Sequence, residues 1–253
     1  MTDSKNPIQV ADRIFRTIEL LAQTGPMGLL DLSHAAELNK STMHRILLSL
    51  ISMGYVKQDP VSLHYSLTFK VWDIANQMLT KIDILEIARP YLKHLVEITG
   101  ETVHLVQRDG IHAVYIDKVE SYTNSVRMVS TIGKSVPLYC SGVGKALLAE
   151  MEPAAVKTIW NNSKIEKLTA HTITDYQTLT KRLVQVRERG YALDEEENEL
   201  GVRCIAVSIR DYTGQSDYAF SISAPSSRMS EHTIQELAVQ ILAVRKQLEN
   251  SWR

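Results

Sequence analysis

The chain has 253 residues, of which 44% are hydrophobic and 23% charged, with a formal net charge of -1. That is enough apolar material for one or two globular domains, and the near-neutral balance excludes a grossly basic nucleic-acid coat protein without excluding a small DNA-reading unit on a neutral partner. Cys140 and Cys204 are too few for a disulfide framework; there is no apolar signal segment after Met1 and no uncharged run of about 18 residues, so a cytoplasmic protein that does not span a membrane is expected.

Residues 1–8 read as a loose tail. A first helix is predicted over 9–23, with Val10, Ile14, Ile18, Leu21 and Ala22 as its apolar stripe and Thr24-Gly25-Pro26 as its stop. A second, over 30–36, should bury Leu32, Ala35 and Ala36. The turn Glu37-Leu38-Asn39 leads into a third helix, capped by Asn39 and stopped at Gly54. At 100° per residue, Met43, Ile46, Leu47, Leu50 and Ile51 gather on one face, with Ser41, His44, Arg45 and Ser52 on the other. The bland reading is an amphipathic helix with a solvated polar face.

The residues after Gly54 favour a sharper reading. Tyr55-Val56-Lys57-Gln58 and Leu63-His64-Tyr65-Ser66-Leu67 are strand-like and joined through Asp59-Pro60-Val61-Ser62. A hairpin after such a helix is the wing of a winged helix-turn-helix. Residues 1–70 carry seven Lys and Arg against six Asp and Glu, so DNA binding depends on local charge placement and on doubling by dimerisation. Lys40, Ser41 and Thr42 sit where helix N-terminal amides favour phosphate. His44, Arg45 and Leu48 face outward towards base edges, Arg45 matching guanine and Leu48 a thymine methyl. Lys57 and His64 on the wing reach a phosphate or the minor groove, unless His64 is merely a solvent-facing strand residue.

A helix over 68–79 is apolar on more than one face, through Phe69, Val71, Trp72, Ile74, Ala75, Met78 and Leu79. A second copy is its natural partner, since two half-sites need two readers; burial against the chain's own second domain is the alternative. Asp83 caps a further helix that turns Ile84, Ile87, Ala88, Tyr91, Leu92, Leu95 and Val96 inward and ends at Gly100. Pro90 should bend or divide it.

Strands are then predicted over 102–107 and 113–119 around Arg108-Asp109-Gly110, with a third over 125–131. Helices are predicted over 141–150, 153–160 and 176–189, the last ended by Gly190. Strands over 202–209 and 218–223 flank Asp211-Tyr212-Thr213-Gly214. A closing helix over 231–248 points Ile234, Leu237, Ala238, Ile241, Leu242 and Leu248 inward. This is an α+β domain with an antiparallel or mixed sheet.

Three stretches in it look unlike plain core. In Pro137-Leu138-Tyr139-Cys140-Ser141-Gly142-Val143-Gly144-Lys145, small residues at a helix start open backbone N–H groups to a ligand such as a carboxylate. In Asp194-Glu195-Glu196-Glu197-Asn198-Glu199-Leu200-Gly201-Val202-Arg203-Cys204, an acidic loop runs into an apolar strand that starts with a thiol. Ser221-Ile222-Ser223 puts two hydroxyls on one strand face. Each has a bland counterpart: glycines for tight packing, a solvated loop that lacks calcium-ligand spacing, serines facing water.

Catalytic motifs are not met. Gly133-Lys134-Ser135 resembles the end of a phosphate-binding loop, but Met128 stands where that loop needs glycine. Ser141 lacks the Gly-x-Ser-x-Gly frame. Cys204 has no His at motif spacing, and His104, His112 and His171 show no zinc-ligand spacing with either cysteine. No catalytic residue, metal or cofactor is expected.

The chain resembles the IclR family of bacterial transcription regulators over nearly its whole length. The resemblance is carried by Leu38-Asn39-Lys40-Ser41-Thr42-Met43-His44-Arg45 with Gly54-Tyr55-Val56, by the stretch from Pro137 to Ala149, and by the stretch from Glu195 to Val207. It implies a winged helix-turn-helix (1–68), a linker helix (69–82) and a GAF-like effector-binding domain (83–253). It implies dimers, or dimers of dimers, on palindromic operators in double-stranded DNA. It also implies a small organic-acid effector, with a pocket at Gly142 and Val143, Asp194 and Cys204, Ser221 and Ser223, walled by Met128 and Leu138. Two departures stand out: Cys140 where many members have His, and Ser208 where many have Pro. The Leu-Tyr-Cys and Glu-Glu-Asn-Glu-Leu-Gly patterns look most like the branch governing sugar-acid catabolism. The expectation is a ligand-responsive regulator, a repressor, of a carbohydrate or sugar-acid operon. The competing readings are a metabolite-binding protein or enzyme acting on a small carboxylic acid, and a winged helix that binds protein and no DNA.

Overall fold

The computed structural model describes residues 8–79, 83–121, 130–211 and 213–252. Two compact units make up the chain, Met1–Lys81 and Ile82–Arg253. The first contains α1 (Gln9–Thr24), α2 (Leu29–Ala35), α3 (Lys40–Ser52), β1 (Val56–Gln58), β2 (Tyr65–Leu67) and α4 (Lys70–Leu79). Asn39 caps α3 through its side chain, which accepts from the Thr42 amide at 2.8 Å. Leu21, Leu32, Ala36, Met43, Ile46, Leu47, Leu50, Val56 and Tyr65 form the core.

The α1 stripe is narrower than expected. Val10, Ala22 and, on α2, Ala35 are exposed, and Thr17 is fully buried instead. Thr17 tolerates burial because its hydroxyl donates to the Arg13 carbonyl at 2.7 Å, leaving its methyl for the core. The hairpin pairs Val56 with Leu67 and Gln58 with Tyr65. Its loop is drawn tight by the Asp59 carboxylate, which accepts from the amides of Val61 and Ser62 and from the Ser62 hydroxyl.

The second unit contains α5 (Asp83–Thr99), β3 (Thr102–Asp109), β4 (His112–Val119), β5 (Ser135–Pro137), α6 (Gly142–Ala149), α7 (Pro153–Asn162), α8 (Tyr176–Arg189), β6 (Ala192–Glu195), β7 (Val202–Ile209), β8 (Tyr218–Pro225) and α9 (Glu231–Ser251). Its strands form one sheet in the order β5-β4-β3-β8-β7-β6, antiparallel throughout. Pro90 does not divide α5. It lies on the exposed face, while Ala88, Leu92 and Leu95 hold the opposite face in the core. β5 and β6 were not expected. Three and four residues long, they carry too little alternation to register as strands. The strand expected over 125–131 falls mostly outside the described residues, and Ser130 and Thr131 are not in a strand.

The sheet has two unlike faces. Val103, Leu105, Ile205, Val207, Phe220 and Ile222 form a bulky core with α5 and α9. On the other face Val106, Ala113, Ala192, Ala206 and Ala219 lie under α6, every residue of which is buried. Small residues on both sides let that helix approach closely. Among the described residues, no helix is long and apolar enough to cross a membrane.

Candidate functional sites

α3 presents its polar face to solvent. Lys40, Ser41, His44, Arg45 and Leu48 are exposed, and Thr42 is half-buried. Ser41 shares in the cap, its hydroxyl donating to Asn39 Oδ1 at 2.9 Å. Met43, Ile46, Leu47 and Leu50 are buried behind them, so the helix is fixed by its back and open at its front. Lys57 is exposed in the middle of β1. His64 stands one residue ahead of β2 and beside Gly28, at the start of α2, so it belongs to the base of the wing. The wing loop itself carries Val61 and Leu63, both exposed.

In the second unit strand register assembles a polar row. Asp194 on β6 pairs with Cys204 on β7, and Cys204 with Ser223 on β8. One step along, Ser221 pairs with His104 on β3. The N-terminus of α6 faces this row. Ser141 caps it, accepting from the Gly144 amide at 3.1 Å and donating to the Pro137 carbonyl at 2.7 Å. The amides of Gly142 and Val143, in the first turn, have no intrahelical acceptor.

Gly142, Val143, Asp194, Cys204, Ser221 and Ser223 therefore line one cavity. Two of the expected pocket residues are not among them. Leu138 is fully buried, with its backbone against Gly144, and lies in the core instead of forming a wall. Met128 lies outside the described residues. Both serines are buried and do not face bulk water. The glycines divide: Gly144 serves packing, because a methyl there would fall 2.3 Å from the Leu138 carbonyl oxygen, whereas Gly142 borders the cavity.

The cavity also takes in His104, Tyr115, Ser130, Lys134, Asn198 and Glu199, which sequence reasoning had not placed there. By sequence His104 stands out only as a zinc-ligand candidate and Lys134 only within an incomplete phosphate-loop pattern. His104 joins through pairing with Ser221, more than a hundred residues away, and Lys134 through the pairing of β5 with β4, neither of which local patterns encode. The one available signal was the period of two that puts Thr102 and His104 on a common face.

Burial dominates the electrostatics. The Asp194 carboxyl is pushed up to about 7 by burial, with Glu197 adding and Lys145 opposing. Its Oδ1 accepts from the Glu197 amide at 2.8 Å and, more weakly, from the Asn198 amide at 3.4 Å. Lys145 and Glu197 form a buried ion pair beside it. The Glu197 carboxyl is also raised by burial, which Lys145 opposes. His104 is pushed down to about 3 by burial and by the nearby Lys118, so its ring is neutral. Burial raises Tyr115 and Cys204 too, leaving a phenol and a thiol as uncharged groups at neutral pH. A protonated Cys204 is a poor nucleophile. Among the described residues, no cluster of His, Cys, Asp and Glu could hold a metal.

The cavity thus presents backbone donors at one end, and hydroxyls and a buried carboxyl along its floor. The model of the bacterial transcriptional regulator IclR C-terminal domain matches residues 76–250, and that of the IclR helix-turn-helix domain matches residues 10–60. The chain is 42% identical over 218 residues to the DNA-binding transcriptional repressor YiaJ of Escherichia coli, covering 85% of this chain and 77% of that one. It is 37% identical over 239 residues to the HTH-type transcriptional regulator KdgR of the same organism, covering 94% and 90%. Among solved structures, Thermotoga maritima IclR superposes with a TM-score of 0.84 at 28% identity, over 96% of this chain and 98% of that one. The C-terminal domain of E. coli KdgR does so with a TM-score of 0.62 at 35% identity, over 68% and 99%. The molecule is a DNA-binding transcription regulator with an effector-binding domain, and not an enzyme. The chain belongs to the IclR family of bacterial transcriptional regulators.

Proposed function

We propose that this regulator is a cytoplasmic repressor that reads a palindromic operator as a homodimer, or a dimer of dimers, and answers to a sugar acid or related hydroxy acid. The observation that carries the effector class is the polar row of Asp194, Ser223 and Ser221 facing the first turn of α6 across one cavity. Amide donors at Gly142 and Val143 suit a carboxylate, since the helix N-terminus is electropositive. Asp194 and the serines suit hydroxyls. A simple fatty acid would leave those buried polar groups unpaired, at about 1–3 kcal/mol each. The acid-responsive unit begins near residue 83, the reading head ends near 68, and 69–82 connects them.

On DNA, Lys40, Ser41 and Thr42 hold the backbone, His44, Arg45 and Leu48 read bases, and Lys57 and His64 touch the flanking strand. Dimerisation is supported by α4 and the residue before it, which leave Phe69 88% and Trp72 70% exposed. The repressor assignment draws on the likeness to YiaJ, a transcriptional repressor. Effector and operator are linked only as far as the acid binds one DNA-spacing state better than the other. The test pairs a thermal-shift panel of sugar acids with operator gel shifts. An acid that raises the melting temperature and changes operator affinity supports the proposal; a panel without response refutes the effector class.

A further inference from the structure

His104 is the only histidine buried among the described residues, and both of its ring nitrogens are engaged. Nδ1 lies 3.2 Å from Ser223 Oγ, towards β8. Nε2 lies 2.6 Å from Ser130 Oγ. The Tyr115 ring, 4.9 Å away between centroids, packs against the imidazole. Ser223 is in turn 3.4 Å from Ser221. A chain of four polar groups thus runs from the cavity floor, through one imidazole, to the turn ahead of β5.

A neutral imidazole has one donor and one acceptor nitrogen, so this chain has a direction. Lys118 sets it. Lys118 is the cross-strand neighbour of His104 on β4, while Ser221 is its neighbour on β8. The ammonium donates to the Ser130 carbonyl at 3.0 Å and pairs with Glu120 at 2.7 Å. It therefore stands on the Nε2 side of the ring. A cation there favours a lone pair on Nε2 and disfavours an N–H dipole pointing at it. Ser130 then donates to Nε2, and the ring proton sits on Nδ1.

We propose that His104 is a positioning residue for effector recognition: it donates from Nδ1 to Ser223 Oγ, which keeps the Ser223 hydroxyl hydrogen off the ring, so that it can turn from Ser221 or Cys204 to an acceptor oxygen of the effector. In the opposite tautomer Ser223 would spend its hydrogen on the ring and offer the cavity only lone pairs, which repel a carboxylate or keto oxygen. His104 thereby selects for an acidic or carbonyl oxygen at this end of the cavity and against a donor such as an amine. The inference rests on the effector reading above, which places Ser221 and Ser223 against the guest.

The direct test is long-range proton–nitrogen NMR on the full chain labelled with nitrogen-15 at histidine. The His104 signals are identified by their loss in His104→Gln or, if that variant does not fold, by sequential assignment of the wild type. The expected spectrum shows a protonated Nδ1 and a bare Nε2; a proton on Nε2, or on both nitrogens, overturns the proposal. The functional arm titrates D-gluconate. Ser223→Ala should weaken it about tenfold in the wild-type background, the worth of one hydrogen bond to a charged group, and less than about threefold in His104→Gln. Equal losses in both backgrounds overturn the positioning role and leave the effector class standing. If neither gluconate nor any other sugar acid of the panel binds, both readings fall together.

Discussion

Gly144→Ala separates packing from ligand binding in α6. By helix propensity alone the substitution should help, by about 1 kcal/mol. The structure reverses that sign. A Cβ at this position would lie 2.3 Å from the carbonyl oxygen of Leu138, 2.4 Å from its Cα and 2.7 Å from its carbonyl carbon. Non-bonded heavy atoms settle about 3.5–4.0 Å apart, so helix and strand end must separate by about 1 Å. Neither is free to move, because every residue of α6 is buried and Leu138 is fully enclosed. Overpacking costs about 1–3 kcal/mol where side chains can yield, and here all three obstacles are backbone. The net loss should be about 3 kcal/mol, a fall in melting temperature on the order of 10 °C for a unit of this size. Differential scanning calorimetry and urea titration of the full chain measure it. Gly142→Ala is the control: its methyl would meet Ala206 Cβ at 3.4 Å and the Asp194 amide nitrogen at 3.5 Å, tight but tolerable contacts. It should melt within a few degrees of wild type and lose sugar-acid binding at least about tenfold, since the methyl presses on Asp194 at the cavity's edge and shifts the first-turn amides. A Gly144→Ala protein as stable as wild type would refute the packing argument.

Three further outcomes are expected from the same geometry. Lys145→Met strands the buried Glu197 carboxyl without its cation; it should cost about 3–5 kcal/mol by urea denaturation, and the double variant Lys145→Met, Glu197→Met should recover most of that. Arg45→Ala should weaken operator binding by about 1–3 kcal/mol and relax sequence preference at one base pair, with the melting curve unchanged; an unchanged operator profile removes Arg45 from base reading. Asp194, raised by burial to about 7 from an ordinary 3.8, holds a proton that the unfolded chain has released. Folding stability should therefore fall as pH climbs between those two values and level off above the higher one. Asp194→Asn should flatten that slope, and the urea midpoint followed against pH is the readout.

What the sequence revealed was local chemistry. α8 runs over Tyr176–Arg189 as predicted, because both ends are marked in the chain: Asp175 accepts from the Thr178 amide, and Gly190 adopts φ 83°, which only glycine takes cheaply. α3 is legible for the same reason, through Asn39. β7 is legible as eight residues of apolar, β-rich sequence. The rest depends on partners distant in sequence. Whether Thr17 or Val10 faces the core is decided by where α3 lies, and Thr17 wins because Met43 is there to meet it. Leu138 is a pocket wall by the family resemblance, yet here it is fully buried with its backbone against Gly144 and does not line the cavity. His104 joins the cavity through Ser223, 119 positions away, and no window of local pattern spans that distance.

The cavity is a consequence of how the sheet divides its bulk. Large side chains go to the face covered by α5 and α9 and form a bulky core there. The opposite face carries alanines, and α6 meets it with Gly142, which lies against Ala206, while Gly144 turns away to the Leu138 backbone. Close approach needs small residues on both surfaces, and small residues cannot fill the space beyond the end of an eight-residue helix. That leftover space lies over the row of Asp194, Cys204, Ser223 and His104. A row of that polarity cannot be covered by apolar side chains without leaving hydrogen-bonding groups unpaired. Packing and binding are thus not competing accounts of the glycines. Gly144 admits the Leu138 backbone on one side of α6, Gly142 lets the other side settle against Ala206 and Asp194, and the first-turn amides of Gly142 and Val143 come to line the same cavity as the hydroxyls. If Gly144→Ala folds with α6 displaced from Leu138, acid binding should weaken even though Gly144 itself does not line the cavity.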